Sequence, residues 1–133
     1  RIAGHPAFLL DAAHNVDGCR ALANHLAAQP RRGKRVLIFG AMRDKDYPQM
    51  LALLAPQFDQ LIYLRPAIAR ALEPEELQRI HPGHAAKNSS DALRTAKRAA
   101  DGGGLVVIAG SIFLVAELRA KLLGVPSDPL IRM

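Results

Sequence analysis

Leu105-Val106-Val107-Ile108-Ala109-Gly110-Ser111-Ile112-Phe113-Leu114-Val115 passes from five uninterrupted apolar residues, through a glycine and a serine, into a stretch that continues as a helical pattern. A short run that is apolar at every position, rather than at alternate ones, marks a strand covered on both faces. Followed at once by a polar turn and a helix, it is the signature of a parallel sheet between helical layers. Working outward, the same alternation recurs upstream. Ala7-Phe8-Leu9-Leu10, Val36-Leu37-Ile38-Phe39 and Leu61-Ile62-Tyr63-Leu64 are three further strand candidates. A weak edge strand is expected near 84–87. The fold class read from this pattern is α/β, a Rossmann-like three-layer domain with a mostly parallel sheet.

The helices between the strands follow from periodicity. Cys19, Leu22, Ala23 and Leu26 share one face of a helix over about 16–28, with Asn15 as its N-cap. Met50, Leu51, Leu53 and Leu54 mark a second, opened by Asp46 with Pro48 in its first turn. Glu73-Pro74-Glu75-Glu76-Leu77 starts a short third helix, its acids at the positive end of the dipole. A fourth begins at Ser90 or Asp91 and carries Leu93, Ala96 and Ala100 inward. The last spans about 111–123 with Val115, Leu118 and Leu122 inward, and Gly124 and Pro126 stop it.

Composition narrows the function classes. A chain of 133 residues, half of them apolar and 23% charged, is read as one folded domain rather than a disordered or low-complexity segment. No apolar stretch approaches the ~18 to 20 residues that cross a bilayer, so no membrane partner is expected. The net charge of +6 suits an anionic ligand, and a single cysteine suits a reducing, cytoplasmic setting. The chain opens Arg-Ile-Ala-Gly-His-Pro, without an initiator Met or a signal-peptide pattern, and is read as a piece of a longer protein.

In an open parallel sheet, ligands gather outside the carboxyl ends of the strands. The residues just after the strands therefore form the candidate site: Asp11-Ala12-Ala13-His14-Asn15, Gly40-Ala41-Met42-Arg43-Asp44-Lys45-Asp46, and Gly110-Ser111. Asp11 closes a strand, where a carboxylate accepts from sugar hydroxyls, binds a metal directly or through water, or closes its own Asx-type turn. His14 either faces an anionic substrate or caps its turn. Lys45, between two aspartates, either holds a carboxylate or phosphate in the crevice or is one charge in a solvated run. Ser111 opens a helix, so its hydroxyl and the nearby N–H groups form an anion-binding end and an ordinary N-cap at once. The basic cluster Arg31, Arg32, Lys34 and Arg35 lies in a turn at the opposite sheet edge, with no interleaved aromatics. It is read as a solvated turn, not a nucleic-acid surface. No His, Cys, Asp or Glu spacing reads as a metal site. Gly102-Gly103-Gly104 precedes a strand, the wrong order for a phosphate loop.

Taken together, Leu-Leu-Asp-Ala-Ala-His-Asn (9–15), Phe-Gly-Ala-Met-Arg-Asp-Lys-Asp (39–46) and Ala-Gly-Ser-Ile-Phe-Leu-Val-Ala-Glu (109–117) resemble the C-terminal domain of the folylpolyglutamate synthase family, within the Mur ligase superfamily. The resemblance covers essentially the whole chain. It implies an ATP-dependent carbon–nitrogen ligase that activates a substrate carboxylate as an acyl phosphate and joins it to L-glutamate. The acceptor would be dihydropteroate or a folylpolyglutamate. It further implies that Asp11, with Asn15 beside it, lies on the ATP side, while His14, Lys45 and Ser111 bind the amino acid. ATP and Mg2+ would be held mainly by the protein's own N-terminal ATPase domain. No Gly-x-x-x-x-Gly-Lys-[Ser/Thr] occurs here, so that domain is expected to lie outside this chain, and the chain by itself carries no catalytic residue. Two features depart from the family pattern. Val16-Asp17 follow Asn15 where the family has Pro-His, and Arg1 stands too close to Asp11 to match the family's upstream arginine. A peptidoglycan-precursor ligase domain and a stand-alone nucleotide- or anion-binding module are the competing readings.

Overall fold

The structure, a computed structural model, describes residues 6–124. Five strands form one sheet: β1 (Ala7–Leu10), β2 (Arg35–Phe39), β3 (Gln60–Tyr63), β4 (His84–Ala85) and β5 (Leu105–Ala109). Every pairing is parallel, in the order β1-β5-β2-β3-β4, so the last of the five strands is inserted between the first two. The helices are α1 (Val16–Ala28), α2 (Tyr47–Leu54), α3 (Pro74–Gln78), α4 (Ser89–Ala99) and α5 (Ile112–Leu123).

The alternation of side chains along a strand splits the apolar residues between two cores. Leu37, Phe39, Leu61, Tyr63 and Val107 point to one face, where Leu22 and Leu26 of α1 and Met50 and Leu54 of α2 cover them. Val36, Ile38, Ile62, Val106 and Ile108 point to the other, against Leu93 and Ala96 of α4 and Leu114 and Leu118 of α5. This is the three-layer α/β architecture read from the apolar runs. α1 and α2, which follow β1 and β2, lie on one face, whereas α4 and α5, before and after β5, lie on the other, so the covering helices change sides at β5. The crevices beside that strand's carboxyl end are therefore the place where a ligand fits.

Local capping sets several boundaries away from the sequence reading. α4 starts at Ser89, not at Ser90 or Asp91, because Asn88 takes the cap and its Oδ1 accepts from Asp91 N–H at 2.8 Å. α5 starts at Ile112, since Ser111 is its cap. β3 starts and ends one residue before the run 61–64, and the edge strand is confined to His84–Ala85. Gly124 closes α5 in the left-handed conformation, φ 71°. Pro126 and Arg1 lie outside the described residues. The basic turn is solvated at Arg31, Arg32 and Lys34, but Arg35 opens β2 and is buried. Cys19 is buried in the α1 core, where desolvation pushes its thiol up to about 12. Among the described residues, no helix is long and apolar enough to cross a membrane.

Candidate functional site at the carboxyl edge of the sheet

Three loops meet where β1, β2 and β5 end. Gly110 N–H donates to Ala13 carbonyl at 2.8 Å, and Asp11 N–H donates to Ile108 carbonyl at 3.0 Å, so the first and last loops are laced together. The middle loop comes closer still. Gly110 adopts φ 111°, and a Cβ there would stand 2.2 Å from Gly40 carbonyl. Gly40 is held as tightly from the other side, since a Cβ there would stand 2.2 Å from Leu64 carbonyl, so no side chain fits at either position.

Each predicted residue is placed by its own loop. Asp11 is half-buried and its Oδ1 accepts from Ala13 N–H at 2.8 Å, the Asx-type turn. Its second carboxylate oxygen is left for a ligand. Asn15 caps α1 through Oδ1, which accepts from Gly18 N–H at 2.8 Å. His14 Nδ1 lies 2.9 Å from Ala12 carbonyl. A carbonyl only accepts, so Nδ1 carries the proton and Nε2 is available to the pocket. Ser111 is 2% exposed, and its Oγ accepts from the N–H groups of Phe113 (3.1 Å) and Leu114 (3.4 Å). That bonding leaves the hydroxyl hydrogen free to donate. Lys45 is half-buried, with its backbone N–H on Met42 carbonyl, and Asp46 caps α2. Among the described residues, the Lys45 ammonium has no carboxylate within ion-pair distance.

The structure sorts these residues into two adjoining clefts. His14, Lys45 and Ser111 line one pocket of about 160 Å³, together with Met42, Asp44 and Arg70. Asp11 and Asn15 line a second of about 440 Å³ with His25, and His14 is the wall common to both. Among the described residues, no three His, Cys, Asp or Glu side chains converge as a metal-ligand set.

Arg70 is the residue that sequence reading missed. It lies in the irregular loop after β3, and its guanidinium meets Asp44 only at 3.4 Å while remaining 70% exposed. Its backbone is tied in, since Arg43 N–H donates to Arg70 carbonyl at 2.7 Å, and Met42 and Ala71 form an antiparallel bridge. The signal was present: β3 ends at the same edge as β2, so the rule that selected the other three loops also selects this one.

The Lys45 loop is anchored on its outer side. Arg43 grips Glu76 of α3 with two parallel hydrogen bonds, Nη1 to Oε1 at 2.7 Å and Nη2 to Oε2 at 2.8 Å. Glu76 Oε2 also accepts from Glu73 N–H at 3.0 Å, completing a capping box. The Arg43 contact and that N–H hold the Glu76 carboxyl down at about 2.

Comparison with known proteins gives the family. Residues 1–112 match the family model of the Mur ligase glutamate ligase domain. The chain belongs to that family. A probable bifunctional folylpolyglutamate synthase/dihydropteroate synthase of Haloferax volcanii is 32% identical over 120 residues, covering 86% of this chain and 14% of that protein. The folylpolyglutamate synthase of Lacticaseibacillus casei is 31% identical over 129 residues, 93% of this chain and 29% of that one. Among solved structures, a bifunctional folylpolyglutamate synthase/dihydrofolate synthase with Mn, AMPPNP and L-glutamate bound superposes with a TM-score of 0.81 at 30% identity. The likeness covers 89% of this chain and 29% of that one. This Mur ligase glutamate ligase domain thus spans less than a third of the proteins it matches.

Proposed function

We propose that this chain is the C-terminal, amino-acid-binding domain of a larger ATP-dependent ligase that adds L-glutamate to a folate, with dihydropteroate or a folylpolyglutamate as acceptor. The observation that carries the reading is the convergence, in one pocket, of Lys45, Arg70, His14 Nε2 and the Ser111 hydroxyl at the N-terminus of α5. Two cations, a free hydroxyl hydrogen and a helix N-terminus suit an amino acid with two carboxylates. Lys45 and Arg70 would share the carboxylates, and the Ser111 hydroxyl would donate to one of them. His14 would orient the amine from the pocket wall.

The neighbouring cleft fits a nucleotide. The unengaged oxygen of Asp11 can accept from sugar hydroxyls, and Asn15 and His14 border the same space. ATP would supply the phosphoryl group that activates the acceptor carboxylate as an acyl phosphate. Mg2+ and the phosphate-cradling loop would come from the protein's own N-terminal ATPase domain, which closes over this edge in the cytoplasm. The names of the relatives and the ligands of the glutamate-bound neighbour support the same assignment.

The test is Lys45→Ala in the intact ligase. A charge-assisted hydrogen bond of ~1.5 to 3 kcal/mol predicts a glutamate KM raised about tenfold or more, with ATP affinity and melting temperature little changed. Asp11→Ala should show the opposite split, impairing ATP use more than glutamate affinity. Unchanged glutamate kinetics in Lys45→Ala, at saturating ATP and folate, would make Lys45 a solvated charge between Asp44 and Asp46.

A further inference from the structure

The basic turn has no part in the ligase site, yet its last residue is treated unlike the others. Arg35 is 4% exposed, at the amino end of β2 and the opposite edge of the sheet from Ser111. One of its five guanidinium donors reaches the carbonyl of Gln29, the C-cap of α1, at 3.1 Å. Among the described residues, no carboxylate lies within ion-pair distance of that guanidinium. Asp59 spends Oδ2 on the Arg35 backbone N–H at 2.8 Å and on Arg31 Nη2 at 2.6 Å. A buried charge without a counter-ion is costly, and natural folds seldom keep one idle. Burial and the Arg31 charge push the Arg35 pKa down, and the Asp59 charge offsets them only in part.

Arg35 lines a cavity of about 330 Å³ whose polar lining also includes Arg32, His25 and Gln29, and whose walls include Leu9 and Leu26. Among the described residues, no acidic side chain lines it. We propose that the buried Arg35, the Arg32 rim and these aliphatic walls form a second anion site, for a small ligand carrying a phosphate or carboxylate on a compact apolar body. The fork of Arg35 would take two oxyanion oxygens, Arg32 would close over the anion, and the apolar body would lie on Leu9 and Leu26.

Phenyl phosphate is the probe, followed by backbone amide NMR on the 133-residue chain, with neutral benzyl alcohol as control and benzoate and inorganic phosphate as headgroup arms. The expected result is saturable binding of phenyl phosphate that shifts the amides of 26–29 and 35. Lys45→Ala and Asp11→Ala should both leave these shifts intact, which separates them from binding in either cleft at the carboxyl edge. Arg35→Met should weaken binding at least about tenfold, the loss of one charge-assisted pair. Should Arg35→Met fail to fold, the exposed Arg32→Ala should weaken binding about threefold or more in a fully folded chain. The stronger of benzoate and phosphate identifies the headgroup. No saturable shift at millimolar phenyl phosphate, an equal response to benzyl alcohol, or binding that survives both arginine variants would overturn the proposal.

Discussion

Ser111 shows how one oxygen serves structure and ligand together. Its lone pairs cap α5 through Phe113 and Leu114 N–H, and its hydrogen is left over for a carboxylate. The two roles separate under substitution. Ser111→Ala removes the cap and should lower stability by ~1 kcal/mol, whereas Ser111→Gly costs only a few tenths because glycine is a tolerable cap. Both lack the hydroxyl. The ligase reading therefore expects equal increases in glutamate KM from both, despite unequal urea midpoints. A KM effect that tracks stability instead would mean that only the cap matters. His14 divides its labour in the same way, one nitrogen spent on Ala12 and the other turned to the pocket. Such double use explains why capping and binding could not be told apart from sequence at Asp11, His14 and Ser111. At each of them the structure shows the local bond, with a second atom left unspent.

Between elements, the tie that matters is Arg43 to Glu76, which moors the Lys45 loop to α3. Its pH dependence has a definite sign. Glu76 titrates at about 2 in the folded chain, below the ~4.3 of an unfolded glutamate, so its contribution is complete above that unfolded value. It is lost as pH falls toward 2. Wild type should therefore lose more stability than Glu76→Gln between pH 5 and pH 2, measured as urea midpoints on both chains. Parallel acid limbs would show that the ion pair is silent in folding. The same tie marks the limit of sequence reading. The loops after β1, β2 and β5 were legible because each follows an apolar run and carries a cluster of polar residues. The loop after β3 fell under the same edge rule but has no such cluster ahead of Arg70, and the Arg43–Glu76 clasp was not legible, since it depends on the segment after β3 folding back across the sheet edge. Arg35 was misjudged for a related reason: burial of a charged residue at a strand start is set by the helix end above it, not by its neighbours in sequence. The α4 boundary moved because Asn88, two or three residues ahead of the expected start, outcompeted Ser90 and Asp91 as a cap.

At the scale of the whole molecule, one sheet divides two apolar layers, and the strands lend alternate side chains to each. Neither layer has a sheet face of its own without the other, so thermal unfolding of the 133-residue chain should be a single cooperative transition. The same chain, lacking a phosphate loop, should show no ATP-dependent glutamate ligation. A calorimetric scan with two resolved peaks would contradict the first expectation, and amide-bond formation by the purified chain would contradict the second. The strand order has a further consequence, in time rather than space. Among the described residues, β1 pairs with β5 alone, and β5 is the last of the five strands to be made. A nascent chain emerging from the ribosome therefore carries an unpaired first strand, and one open edge of β2, until almost the whole domain has been synthesised. Closing such long-range parallel pairings is slow. Translation stalled or ended before residue 105 would release a product with sticky strand edges, fit for chaperone capture or aggregation rather than for a smaller, partly working fold.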